Sequence, residues 1–76
     1  MKAIREHDRV VLTTDVPQAK LAAGDVGTVV HVYDRGQAFE VEFVTLNGET
    51  CALTTLERRQ VRPAHERELS HARQMA

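Results

Sequence analysis

The segment Phe39-Glu40-Val41-Glu42-Phe43 alternates strictly between apolar and acidic residues, and Val44 follows it. That period of two is the mark of a β-strand with one face buried. Upstream, Thr28-Val29-Val30-His31-Val32-Tyr33 is rich in β-branched residues and predicts a second strand, and Asp34-Arg35-Gly36-Gln37 supplies the turn between the two. Read in register across that turn, Val32 faces Phe39, Val30 faces Val41 and Thr28 faces Phe43, so that Val30, Val32, Phe39, Val41 and Phe43 form the core row. The opposite face then pairs His31 with Glu40 and Val29 with Glu42.

Asn47-Gly48 is a strong hairpin signal, because a two-residue type I′ turn needs positive φ at both central positions. It sets Phe43 opposite Ala52 and Val41 opposite Thr54 on the core side, with Val44 opposite Cys51 and Glu42 opposite Leu53 outside. Val10-Val11-Leu12 predicts a first strand within residues 8 to 14, and residues 15 to 25 a loop pinned by Ala19, Leu21, Ala22 and Ala23. Gly24 and Gly27 flank Asp25 where the chain turns. This Gly-x-x-Gly reads as turn geometry, since a phosphate cradle would need a helix to follow. Thr55-Leu56-Glu57 predicts a short helical turn, and Gln60-Val61-Arg62-Pro63 a closing strand stopped by Pro63.

These elements make an all-β domain, a small five-stranded SH3-like barrel over residues 1–63. Residues 64–76 hold no Gly or Pro and read as a short tail, helical or disordered, with Leu69, Ala72, Met75 and Ala76 near one face. Seventy-six residues allow one domain and a small core. The apolar runs are far shorter than the roughly 18 residues of a membrane helix, and the first eight residues lack a signal peptide's apolar stretch. With the single Cys51, which permits no internal disulfide, this predicts a cytoplasmic protein. The net charge of −1 conceals an uneven layout, −4 over residues 1 to 57 and +3 from Arg58 onward.

Val11-Leu12-Thr13, the loop with Pro17, Gly24-Asp25-Val26-Gly27-Thr28-Val29-Val30, Phe39 to Phe43 and Gly48-Glu49-Thr50 together resemble the small bacterial proteins grouped as domain of unknown function 4926. The resemblance spans roughly residues 4 to 63. It implies a compact SH3-like barrel without an established activity, and an association of some members with toxin-like neighbours points toward an antitoxin or immunity role.

No constellation of catalytic residues is legible. Of the four histidines only His65 and His71 share a segment, and i, i+6 puts them on opposite sides of a helix, whereas two ligands from one helix need i, i+3 or i+4. Cys51 has only His31 near its face and reads as a small strand residue. His31 beside Glu40 and Glu42 makes a cross-strand pair. The expectation is therefore a non-catalytic protein-interaction module with no cofactor and no metal. Its candidate surface is Val29, His31, Tyr33, Glu40, Glu42, Val44, Leu53, the arginines Arg58, Arg59 and Arg62, and the tail residues Leu69 and Met75. The outer patch calls for a cover, whether the chain's own tail, another protein, or a second copy in a homodimer. The alternative is a KOW-like RNA-binding domain, for which Arg58, Arg59 and Arg62 would grip phosphate, although the acidic body and scarce aromatics oppose it.

Overall fold

The computed structural model describes residues 3–65 together with Arg73 and Gln74. Five strands, β1 (Arg9–Leu12), β2 (Val26–Tyr33), β3 (Ala38–Val44), β4 (Thr50–Glu57) and β5 (Val61–Pro63), form one antiparallel sheet in the order β4-β3-β2-β1-β5. Short 3₁₀ turns at Pro17–Ala19 and Arg58–Gln60 sit in the β1–β2 and β4–β5 connections. The domain is all-β, but no ladder joins β4 to β5 among the described residues, so hydrogen bonding leaves the sheet open where a closed barrel was expected.

One face of the sheet carries the core. Val10 and Leu12 of β1, Val29 of β2, Phe39, Val41 and Phe43 of β3, Leu56 of β4 and Val61 of β5 are buried together, with Val16 and Leu21 of the β1–β2 loop capping them. Strand β3 follows its alternation throughout, burying Phe39, Val41 and Phe43. The cross-strand pairs Val41 with Thr54, Phe43 with Ala52 and Glu42 with Leu53 are those the sequence predicts.

Register departs from expectation at two places, by one residue each. In β2, Val29 pairs with Val41 and His31 with Glu40, leaving Val30 as the extra residue of a β-bulge. Val29 is thereby fully buried, whereas Val30, expected inside, is exposed. Val32 still pairs with Phe39, half-buried against the core. The physical reason lies on the other side of β2. Val29 donates its N–H to the Asp8 carbonyl at 2.9 Å and accepts from the His7 N–H at 2.7 Å, and this clamp sets which face Val29 presents. Val29 lies on one face of the strand and Val30 and Val32 on the other, so pattern alone does not decide which face is buried.

The second departure is at the β3–β4 turn. Gly48 donates to the Thr45 carbonyl at 2.9 Å and Thr45 to the Glu49 carbonyl at 2.8 Å, while Gly48 has φ 87° and Asn47 a negative φ. This is a three-residue loop, a type I turn over Leu46-Asn47 followed by glycine in the left-handed region, and not the two-residue type I′ turn. Val44 consequently pairs with Thr50 rather than Cys51. A bulge at Cys51 absorbs the difference and restores the register at Phe43 and Ala52. The primed geometry appears instead at the β2–β3 turn, where Asp34 and Arg35 have φ of 46° and 54° and Gly36 donates to the Tyr33 carbonyl.

The helical turn expected at Thr55-Leu56-Glu57 lies three residues later. Leu56 is buried opposite Phe39 and keeps β4 extended to Glu57. Glu57 and Gln60 then close the 3₁₀ turn as a capping box, the Glu57 N–H donating to Gln60 Oε1 at 2.8 Å. Gly27 also has a different role from the one expected. It lies inside β2 and not in the turn, and a Cβ there would stand 2.6 Å from Val41 Cγ1 and 2.8 Å from Phe43 Cε2.

Candidate docking face and arginine socket

The outer face of β2, β3 and β4 is where the candidate residues meet. On β3, Glu40 and Glu42 alternate with the buried residues and point away from the core. Glu40 accepts from the Thr55 hydroxyl at 2.6 Å and Glu42 from the Thr50 hydroxyl at 2.9 Å. Both carboxylates are thus engaged by threonines of β4, in place of the contact with His31 that the sequence suggests. His31 sits opposite Glu40 in the ladder, but its Nδ1 lies 3.9 Å from Glu6 Oε1, and its ring meets Tyr33 edge-on at 4.6 Å.

Three aliphatic side chains stand out of this end of the sheet. Leu53 is 57% exposed, Val44 52% and Leu46, at the tip of the β3–β4 loop, 94%. Leu53 lies opposite Glu42, so it is the diagonal neighbour of Val44 across β3 and β4. Val29 leaves the candidate surface because it is a core residue. Val30 and Leu46 join it, Val30 through its bulge and Leu46 through the three-residue loop, two features that strict alternation does not reveal. Cys51 is exposed at the second bulge, its thiol donating to the Phe43 carbonyl at 3.3 Å.

The arginines do not form a bare basic patch. Arg59 Nε pairs with Glu57 Oε2 at 2.7 Å, and Arg62 Nη1 donates to the Pro63 carbonyl at 3.1 Å. Arg58 and Arg59 lie on the exposed 3₁₀ turn, with Arg62 half-buried on β5. Leu69 and Met75, and most of the helical or disordered tail expected over 64–76, lie outside the described residues. No described helix is long and apolar enough to cross a membrane.

Among the described residues, Arg73 of the tail contacts the β1–β2 loop. Arg73 approaches Asp25 side-on, Nε to Oδ1 at 2.8 Å and Nη2 to Oδ2 at 2.6 Å, and Nη2 also donates to the Lys20 carbonyl at 3.0 Å. Asp25 is buried, and its Oδ2 additionally accepts from the Ala22 N–H at 2.8 Å. The hydrogen bond to Asp25 pushes the Arg73 guanidinium above its ordinary range, outweighing partial desolvation. Beside this pair opens a cleft of about 760 Å³ whose walls include Val26, Phe43, Val44, Leu46 and Cys51. The charge layout predicts a basic tail drawn to an acidic body, but no local pattern links two residues 48 positions apart.

The model of the family described as domain of unknown function DUF4926 matches residues 6–63, from the His7–Asp8 clamp through β5. The chain belongs to this family. The matched span takes in all five strands, the outer face and Asp25, whereas Arg73 lies beyond it. No curated protein and no solved structure matches the chain.

Proposed function

We propose that this chain is a non-catalytic protein-interaction module, of antitoxin or immunity type, that docks one protein partner on the outer face of β3 and β4. The observation that carries this reading is the exposure of Leu53 and Val44 as diagonal neighbours, with Leu46 fully out at the adjoining loop tip. A domain with so small a core gains little by holding aliphatic residues in water, and contiguous exposed apolar surface marks interaction sites. Edge strand β4 adds to this, since its outward side has no neighbouring strand among the described residues and its only charged residue is the terminal Glu57. The engaged Glu40 and Glu42 leave a rim of satisfied polar groups beside the apolar residues.

RNA binding has less support, because Arg59 and Arg62 are already engaged and Tyr33 is the one large exposed aromatic among the described residues. The test compares the wild type with Leu53→Lys, a surface change that leaves the core intact. Retention of one protein at constant stoichiometry by the wild type, lost in Leu53→Lys with unchanged circular dichroism, supports the module. Binding of random RNA that persists in the variant and falls steeply with salt would overturn it.

A further inference from the structure

The Asp25 carboxylate and the Lys20 carbonyl are each braced by hydrogen bonds within the β1–β2 loop. Asp25 is held by reciprocal bonds with Ala22, its N–H donating to the Ala22 carbonyl at 3.0 Å and its Oδ2 accepting in return. Lys20 closes the 3₁₀ turn by donating to the Pro17 carbonyl at 3.0 Å, with a left-handed φ of 59° that ends the turn there. One carboxylate oxygen and one carbonyl oxygen are thus braced within the β1–β2 loop, and with Asp25 Oδ1 they present three acceptors to Arg73. Their arrangement matches the planar fork of a guanidinium, which uses Nε and Nη2 together, and a lysine ammonium cannot reproduce it.

We propose that this site is an arginine-recognition socket, occupied in cis by Arg73 and filled by an arginine of the protein partner when the tail is displaced. The inference rests on the interaction-module reading and names how the partner is recognised. Three observations support it. With Arg73 in place Asp25 is 8% exposed, and a carboxylate so buried needs a cation to offset its desolvation. Arg73 keeps 30% of its side chain exposed while seated, so the socket is open to solvent on that side. Finally, the cleft runs on beyond Arg73 between Val26, Phe43, Val44 and Leu46, giving room for apolar residues flanking the incoming arginine. The occupant is therefore a peptide segment with an arginine among apolar residues, drawn by the net charge of −4 over residues 1 to 57. Continuity of this cleft with the exposed Val44 and Leu46 places the socket at the border of the docking face.

The experiment uses the full chain carrying Arg73→Ala, labelled with ¹⁵N, and two peptides of its own residues 64 to 76, one native and one with Arg73→Lys. Saturable shifts of the Ala22 and Asp25 amides are expected with the native peptide. Its affinity for the variant should exceed that for the wild type by about tenfold or more, because the tethered Arg73 competes at high effective concentration. The lysine peptide should bind at least about tenfold more weakly than the native one. Adding Asp25→Asn to the variant should abolish binding, and the arginine–lysine comparison decides the matter even if that double variant unfolds. Equal binding by wild type and variant, or equal binding of the two peptides, would overturn the socket and reduce the Arg73–Asp25 contact to an internal ion pair. The outcome is separable from that for the docking face, since these peptides report on the socket while Leu53→Lys reports on β4.

Discussion

Asp8 and Asp25 hold equivalent posts at the two ends of the β1–β2 ladder. Asp8 accepts the Arg5 N–H at 2.9 Å and donates its own N–H to the Arg5 carbonyl at 3.1 Å, as Asp25 does with Ala22 at 2.8 and 3.0 Å. In both turns the residue just before the aspartate has positive φ, 75° at His7 and 94° at Gly24. Each aspartate carbonyl then accepts from the facing strand at 2.9 Å, Asp8 from Val29 and Asp25 from Leu12. One device, a turn with its third residue in the left-handed region and a bulged exit, therefore launches both strands.

Loss of either carboxylate should weaken the fold. Asp8→Ala is expected to cost about 1 kcal/mol, the net worth of one side-chain to backbone hydrogen bond. Asp25→Ala should cost more, since the same carboxylate also anchors Arg73 and its site is buried. Urea denaturation of the two variants gives the comparison, and an Asp25→Ala protein as stable as Asp8→Ala would contradict the difference.

His7 stands where its counterpart is Gly24, and an L side chain there is strained. His7→Gly should raise stability by roughly 0.5–1 kcal/mol, the relief of the left-handed backbone partly offset by glycine's greater freedom when unfolded. A fall in the melting temperature would refute the assignment of strain.

The core tolerates neither more volume at Gly27 nor less at Phe43. A Cβ at Gly27 would press on Val41, Phe43 and the Glu42 carbonyl, so Gly27→Ala should cost about 1–3 kcal/mol by overpacking. Phe43→Ala should cost about 3–5 kcal/mol, close to the whole stability of so small a domain. Thermal melts by circular dichroism check both.

At the β3–β4 loop the two residues of Asn47-Gly48 should respond differently. Gly48 has φ 87° in open space, so Gly48→Val pays only for backbone strain, on the order of 1–2 kcal/mol. Asn47, at negative φ, loses only exposed side-chain contacts with Thr45 and Glu49, and Asn47→Ala should cost about 0.5 kcal/mol or less. Equal losses would favour the two-residue turn that the sequence suggests.

Legibility followed how local the determining forces are. The pairing of β3 with β4 was readable because Phe39, Val41 and Phe43 alternate with glutamates and Asn-Gly marks the turn; the misread loop length did no harm because the bulge at Cys51 returned the pairing to register. The β2 face was misread because its valines lie on both faces of the strand, and the decision came from His7 and Asp8, some twenty residues away in sequence. Leu46 and Val30 reached the candidate surface through a loop and a bulge, which periodicity cannot register. The Arg73–Asp25 pair depends on a tertiary contact with no sequence period at all.

Docking of a protein partner on the outer face of β3 and β4 is tested by amide hydrogen exchange of the chain with and without its copurified partner. Added protection is expected along residues 50–57, including the amides of edge strand β4 that make no bond to β3, with β1 unchanged. Protection confined to the Arg58–Gln60 turn and β5, with none on β4, would contradict it.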